Sequence, residues 1–243
     1  MPPVLAAVVA HPDDESYAFG GTIARATARG ARAWVIAATR GEGGWDLTGA
    51  GRRGEALARA RSEELAASCR ALGAEPPRFL GLRDGAVAED EAVGAERLRA
   101  VLAALAPDAV LTLGPDGAYG HADHLATTRM VSAAASGRVL HACFPPGLFA
   151  PFFARMKAHA PEVLAVDDAA ALGCTDAALE VDVSAFREAK LASIAAHHSQ
   201  VPGGDPHRFL APGLVDALLD VERYEHAAGP PLPAGATDPF EGP

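Results

Sequence analysis

The sequence lacks the surplus of positive charge that proteins use to bind nucleic acids. Its 243 residues carry 21 lysines and arginines against 31 aspartates and glutamates, which gives a net charge of −10. The pI is correspondingly near 5.3. A polyanionic partner would meet net repulsion, so we expect no nucleic acid as a partner.

Cysteine is also scarce, and none of it forms a C-x-x-C pair. The three residues are Cys69, Cys143 and Cys174. An odd number without close pairs argues against a disulfide framework and against a thiolate zinc site. We expect each cysteine to pack as a small hydrophobic residue.

Long apolar runs are absent as well. The apolar run at the N-terminus covers only residues 4–10, and no basic segment precedes it. A signal peptide is therefore not indicated, and no stretch approaches the roughly 18 apolar residues that a membrane span needs. The sequence predicts a soluble, cytoplasmic protein that does not associate with a membrane.

Alternating strand and helix patterns dominate the first 200 residues. Patterns that predict strands occur at residues 4–10, 31–39, 78–82, 109–113, 138–144 and 179–183, with helical periodicity between them, clearest at residues 55–72. We expect an α/β fold with a Rossmann-like, doubly wound, mostly parallel sheet and helices on both faces. One domain should span residues 1–226, and the Pro/Gly-rich residues 227–243 should form a flexible tail.

Polar side chains follow four of the predicted strands. His11, Arg40 and Arg83 each come just after a predicted strand, and His121 follows the strand at 109–113 across the loop 114–120. In a doubly wound sheet the ligand crevice lies beyond the carboxyl ends of the strands. These four residues are therefore expected at one functional edge.

The segment from His11 to Glu15 holds one imidazole and three carboxylates in five residues. Pro12 ends the strand, so that His11 and Asp14 can close on one ion while Asp13 points elsewhere. A polar turn that caps a helix would explain one acid but not all of them. We favour a metal site.

A second motif, His-Ala-Asp-His, occupies residues 121–124. Its two imidazoles lie at i and i+3, on one face of a first helical turn. Alone this spacing is weak evidence, but together with the first motif it supplies two nitrogen ligands and one oxygen ligand, a set that suits zinc. The sequence therefore predicts a metal-dependent hydrolase.

Six short motifs resemble the zinc-dependent N-deacetylases of the PIG-L/LmbE type. They are Ala-His-Pro-Asp-Asp-Glu (residues 10–15), Thr-Arg-Gly-Glu-Gly (39–43), Arg-Ser-Glu-Glu-Leu (61–65), Gly-Leu-Arg-Asp (81–84), Tyr-Gly-His-Ala-Asp-His (119–124), and Lys190 followed by Ala-His-His-Ser-Gln (196–200). The resemblance runs from residue 4 to about residue 201. Ala122 stands where the family often has Pro, at a position that need not supply a side chain to the chemistry.

The resemblance implies a role for each matching residue. His11, Asp14 and His124 would be zinc ligands, with Fe²⁺, Co²⁺ or Mn²⁺ as other possible ions. Asp13 would be the general base, and His121 the acid or oxyanion-stabilising group, charged near neutrality and held by Asp123. The implied reaction removes acetyl from an N-acetylglucosaminyl-type small molecule, releasing acetate and a free amine.

Six further residues are candidates for substrate binding: Arg40, Glu42, Arg83, Asp84, Tyr119 and His197. Each also has a structural interpretation. The two arginines can form ordinary ion pairs, Glu42 can accept from a backbone donor, Asp84 can form a turn before Gly85, and Tyr119 can pack in its loop. Arg61 and Glu64, at i and i+3, are expected to form a structural ion pair.

Three other functions compete with deacetylation. One is an amidase on the same metal scaffold that cleaves a larger acyl or a thiol-conjugate amide. Another is a dinucleotide-binding protein, which lacks its signal because no G-x-G-x-x-G follows residues 4–10. The third, a metal sensor without catalysis, would not require Asp13 or His121. A homo-oligomer is a further possibility.

Overall fold

A computed structural model describes residues 1–209 and 213–242 of the chain. The strands are β1 (Val4–Val9), β2 (Arg32–Ala37), β3 (Arg78–Phe79), β4 (Ala109–Thr112), β5 (Arg138–Ala142), β6 (Leu179–Asp182) and β7 (Val221–Ala228). The helices are α1 (Asp14–Ala18), α2 (Gly20–Ala28), α3 (Gly54–Ala71), α4 (Glu91–Leu105), α5 (Gly117–Gly120), α6 (Ala122–Ala134), α7 (Ala150–His159), α8 (Arg187–Ala196), α9 (Pro206–Phe209) and α10 (Leu214–Ala217). The expected α/β class is confirmed.

The strands form one seven-stranded sheet in the order β3-β2-β1-β4-β5-β7-β6. The first five strands pair in parallel, from β3 through β2, β1 and β4 to β5. β7 pairs antiparallel with both β5 and β6. The sheet is therefore mostly parallel, with an antiparallel edge.

β1 lies near the centre of this sheet and is buried on both faces. Leu5, Ala7 and Val9 belong to one core cluster, which includes residues of α2, α3 and α10. Ala6 and Val8 belong to the other, which includes residues of α4 and α6. Because successive side chains of a strand point to opposite faces, a continuous apolar run is what a strand between two helical layers requires.

Two of the cysteines correct the sequence expectation. Cys143 and Cys174 form a disulfide, whereas Cys69 is free and buried. The two cysteines are 31 positions apart, and the segment between them, called the excursion below, contains α7. Spacing along the chain could not reveal this pair, because the folding of the excursion brings the two residues together.

The C-terminal segment differs from the expected free tail. The expected boundary at residue 226 falls inside β7. Beyond that strand, Arg138 donates to the carbonyl oxygens of Pro230 and Pro239, and Asp238 pairs with Arg29 at 3.0 Å. Hydrogen bonds and ion pairs therefore hold residues 229–242 against the rest of the domain.

Among the described residues, no helix combines the length and the apolar character needed to cross a bilayer.

Candidate metal and catalytic site

The functional edge of the sheet opens into a cavity of about 670 Å³. His11 reaches it from the end of β1, and Asp84 from the loop after β3. His121 and His124 reach it from the segment after β4. The polar residues that follow these strands therefore converge, as parallel strands with a common carboxyl edge require.

Three side chains in this cavity form a compact group. The potential ligand atoms of His11, Asp14 and His124 all lie within 4.8 Å of one another. Asp14 Oδ1 is 3.2 Å from His124 Nε2, and Asp14 Oδ2 is 3.5 Å from His11 Nδ1. One carboxylate thus lies between two imidazole nitrogens, an arrangement that suits a cation.

The protonation of His124 supports the same conclusion. Its Nδ1 lies 3.0 Å from the carbonyl oxygen of Gly117, which can only accept, so Nδ1 carries the hydrogen. Its Nε2 is buried and meets no donor among the described residues, because the atom that it faces, Asp14 Oδ1 at 3.2 Å, is itself an acceptor. A buried lone pair without a donor is costly unless a cation binds it, and a metal ion would satisfy this atom.

A second group, His11, His121 and Asp123, is also compact enough to hold an ion. Here, however, hydrogen bonds occupy the atoms. Asp123 accepts from the backbone N–H groups of Gly85 at 2.7 Å and Val87 at 3.1 Å. It also lies 3.3 Å from His11 Nε2. The first group, His11, Asp14 and His124, is therefore the better candidate for a metal position and is called the metal group below.

His11 is surrounded by carboxylates on both sides of its ring. Its Nε2 lies 3.0 Å from Asp84 Oδ1 and 3.3 Å from Asp123 Oδ2. Burial alone would lower the pKa of His11, but Asp84, Asp123 and Asp14 together raise it well above its usual value. The two carboxylates at Nε2 orient the ring so that Nδ1 faces Asp14. Carboxylates that contact the second nitrogen of a metal-binding histidine orient its ring in the same way.

Asp13 lies in the same cavity but outside the ligand group. Its Oδ2 is 3.1 Å from Arg61 NH2. Burial raises the pKa of Asp13 to about 6, with Arg61 acting to lower it and Asp14 to raise it. A carboxylate of this kind beside a metal site is suited to accept a proton.

The environment of His121 corrects one expectation. The carboxylate of Asp123 contacts His11 and two backbone N–H groups, whereas His121 Nδ1 accepts from the backbone N–H of Asp123 at 3.1 Å. Burial and the neighbouring imidazoles of His124 and His11 lower the pKa of His121 well below its usual value. The lowered pKa and the N–H donated to Nδ1 both favour a neutral imidazole with its hydrogen on Nε2, in place of the expected charged acid held by the Asp123 carboxylate.

Comparison with known proteins identifies the chain. The model of the family PIG-L, described as GlcNAc-PI de-N-acetylase, matches residues 6–135. A curated protein of Streptomyces avermitilis, 1D-myo-inositol 2-acetamido-2-deoxy-alpha-D-glucopyranoside deacetylase, is 33% identical and covers 97% of this chain and 95% of its own. The chain belongs to the PIG-L family. The expectation of an N-deacetylase, a hydrolase of N-acetyl amides, is confirmed at this level.

Solved structures share the fold of this PIG-L chain at lower identity. N,N'-diacetylchitobiose deacetylase from Pyrococcus horikoshii matches with a TM-score of 0.65 and 20% identity, over 92% of this chain and 83% of its own. GalB, a 4-carboxy-2-hydroxymuconate hydratase, matches with a TM-score of 0.65 and 17% identity, over 96% and 100%. One fold thus carries two reactions, and the chemistry must be argued from the site.

Arg61 is a site residue that sequence reasoning missed. It donates to the carbonyl oxygens of Pro12 at 2.6 Å and Gly41 at 3.1 Å, besides its contact with Asp13. Its expected partner, Glu64, accepts instead from the N–H and hydroxyl of Ser199. The expected ion pair is wrong. The occurrence of Arg61 within a PIG-L motif is the signal that could have identified it as a site residue.

Two of the six expected substrate-binding residues, Asp84 and Tyr119, line the cavity. The Tyr119 ring packs edge-on against those of His121 and His124. Both side chains can therefore meet a molecule bound at the metal group.

The other four do not line the cavity, and each has a partner within the protein. Arg40 pairs with Glu55, and Arg83 pairs with Glu89 and Asp90. Glu42 accepts from the backbone N–H groups of Arg40 and Asp84, which leaves it a structural role. His197 is fully buried, with Nε2 2.8 Å from Glu15 Oε1.

The wall of the cavity opposite the sheet is largely apolar and was not anticipated. It comes from α7 and its flanking segments, inside the excursion closed by the disulfide. Its apolar members include Phe144, Phe149, Phe152, Met156 and Val163. The same segments also contribute Arg155, His159 and Glu162, so this wall combines an apolar surface with charged and polar side chains.

Proposed function

We propose that this chain hydrolyses the N-acetyl amide of an N-acetylglucosaminyl-type substrate, with zinc as its metal. The observation that carries the proposal is the different placement of two adjacent acids, Asp13 and Asp14. Asp14 lies between the two imidazoles, and Asp13 faces the same cavity without joining them. Metal-dependent amide hydrolysis uses a set of metal ligands and a base that is not itself a ligand, and these residues can supply both.

The metal would be held by His11, Asp14 and His124. Two nitrogen ligands and one oxygen ligand fit a catalytic zinc site with an open position. When bound, the ion would polarise the amide carbonyl and acidify the attacking water. Such an ion would satisfy the buried Nε2 of His124, which meets no donor among the described residues.

The protein side chains would manage the protons and the developing charge. Asp13 accepts the proton of the attacking water and can return it to the departing amine nitrogen. Arg61 holds the Asp13 carboxylate in place through its 3.1 Å contact. His121, neutral and protonated at Nε2, donates a hydrogen bond to the carbonyl oxygen as negative charge develops there.

The position of the cavity and the named relative support an amino-sugar substrate. The strand order reverses between β1 and β4, where Rossmann-like, doubly wound sheets bind their ligands, and we infer that the parallel strands form such a sheet. The Streptomyces avermitilis relative is named for a 2-acetamido-glucopyranoside. In this chain Asp84, beside the metal group, is placed to accept from a sugar hydroxyl.

The proposal is tested by acetate release from a panel of N-acetylglucosaminides, with metal content measured in parallel. We expect about one zinc per chain, loss of activity on chelation, and recovery with Zn²⁺ or another divalent ion. Undiminished acetate release from metal-free protein would contradict the metal assignment. Absence of acetate release by zinc-loaded protein from every panel member would contradict the deacetylase.

A larger acyl substrate is the second candidate, and the apolar wall formed by α7 favours it. Phe152, Met156 and Val163 are half-buried and line the cavity, so an alkyl group could cover them. Comparing N-acetyl with N-hexanoyl derivatives of the same methyl glucosaminide separates the candidates. Faster turnover of the hexanoyl amide supports the larger acyl group, and faster turnover of the acetyl amide supports the deacetylase.

Arg61→Met should move the acidic limb of the kcat/KM profile to higher pH. The base must be ionised to act, and the Arg61 cation lowers the pKa of Asp13. Removing that cation raises the pKa, so the rate should begin to fall at a pH about one unit higher or more. Measuring kcat/KM from pH 4 to 8 checks this.

Arg61→Lys is the matched control, since it keeps the charge but loses the planar group that reaches Pro12 and Gly41. Its acidic limb should stay closer to that of the wild type. An unchanged limb in Arg61→Met would show that Asp13 is not the group whose ionisation limits the rate.

A further inference from the structure

Glu15 is the one acid of the first motif that the proposed mechanism leaves unused. It is fully buried and does not line the cavity. Its Oε2 accepts from the backbone N–H of Asp13 at 3.0 Å. Its Oε1 accepts from the hydroxyl of Ser68 and from His197 Nε2. The hydrogen bonds of this carboxylate therefore connect Asp13 to two residues that do not line the cavity, Ser68 and His197.

Asp13 has a backbone conformation that needs external support. Its φ is 123° and its ψ is −31°, a combination that residues with a side chain rarely adopt. Such a conformation is strained and persists only where its surroundings hold it. Here Glu15 accepts from its N–H, and Ser16 donates to its carbonyl oxygen from both backbone and hydroxyl.

The support of Glu15 comes from two distant helices. Ser68 lies on α3 and is hydrogen-bonded to Ser193 on α8, and His197 follows the end of α8. His197 has no exposed surface, so it cannot meet a substrate. Carboxylate and imidazole together form a buried, charge-assisted hydrogen bond that holds Glu15 in one orientation.

We propose that Glu15 and His197 are positioning residues for Asp13. His197 orients Glu15, Glu15 holds the Asp13 backbone, and that conformation keeps the Asp13 carboxylate facing the cavity beside Arg61. The proposal rests on the proposed function, in which Asp13 is the base. A purely structural pair would stabilise the fold without changing the rate of correctly folded protein.

Glu15→Gln tests the contact with Asp13. The amide has one acceptor oxygen, so it cannot accept both from Asp13 N–H and from Ser68 and His197. We expect kcat to fall about 10- to 100-fold, as displacement of a catalytic group does, with KM within about twofold of wild type and unchanged zinc content. Hydrogen exchange of the Asp13 amide, followed by NMR, should become faster.

His197→Gln and His197→Leu test the contact between His197 and Glu15. The glutamine amide can still donate to Glu15, whereas leucine cannot. We expect His197→Gln to retain most of the wild-type kcat and His197→Leu to lose as much as Glu15→Gln. Equal kcat in the two His197 variants would overturn the proposal.

Glu222→Gln is the matched control. Glu222 is likewise a buried carboxylate; it accepts from the N–H groups of Gly21 and Thr22 and pairs with Lys190. It does not contact Asp13, so its variant should lower Tm with unchanged kcat. A similar fall in kcat for Glu222→Gln, or zinc loss in Glu15→Gln, would contradict the positioning role.

The amide exchange measurement separates this proposal from the proposed function. If wild-type protein releases no acetate but Asp13 exchange still accelerates in Glu15→Gln, the function fails and the structural link remains. If acetate is released and neither kcat nor exchange changes in Glu15→Gln, the positioning role fails and the function remains.

Discussion

Asp13→Ala is expected to keep its zinc and lose about 10²- to 10⁴-fold in kcat, the usual contribution of a general base. Asp13 lies beside the metal group, yet its carboxylate pairs with Arg61 and is not part of the set formed by His11, Asp14 and His124. Removing it therefore removes proton transfer without removing a ligand. Metal analysis and steady-state kinetics on the same preparation check both halves of this expectation.

Two variants serve as controls for Asp13→Ala. Asp13→Asn keeps the shape of the side chain, and asparagine tolerates positive φ better than alanine, so it separates loss of the base from backbone strain. Asp14→Ala removes the carboxylate between the two imidazoles and should release the metal. Zinc loss from Asp13→Ala, with retention in Asp14→Ala, would reverse the assignment of base and ligand.

His124→Ala is expected to release the metal and abolish activity, whereas His121→Ala should retain the metal and lose about 10²- to 10³-fold in kcat. His124 carries the buried Nε2 without a hydrogen bond. His121 Nδ1 is occupied by the Asp123 N–H, which leaves its Nε2–H to donate to the substrate. Zinc content of both variants decides between the two histidines.

The pH profile of His121→Ala gives an independent check. Because the pKa of His121 lies well below its usual value, the imidazole is already neutral near pH 7. A bound cation would lower that pKa further. Any basic limb of kcat/KM should therefore persist in His121→Ala, and its disappearance would show that His121 acts in its charged form.

The sequence alone was sufficient to predict most elements of the sheet. Strands with continuous apolar runs, such as β1, and long helices such as α3 have patterns that depend only on local periodicity. β7 was missed because its burial is partial and its residues mix charge with apolar groups. α7 was missed because only Phe153 of its ten residues is fully buried, which leaves little periodicity to detect.

The sequence by itself also determined which residue types could form the metal group. His11 and Asp14 are three residues apart, and His121 and His124 are likewise three apart, so local geometry limits how far each pair can separate. That these two pairs meet follows from parallel strands ending at one edge. No long-range information was needed for that expectation.

Only the tertiary structure decided the partner of each remaining polar side chain. The Asp123 carboxylate contacts His11, whereas His121 meets only the backbone N–H of Asp123. Arg61 reaches Pro12 across 49 residues, and His197 reaches Glu15 across 182. The physical reason is that a side chain in a loop points where its backbone dihedrals and its strongest hydrogen bond direct it. Both depend on segments that are distant in the chain, and the disulfide between Cys143 and Cys174 depends on them in the same way.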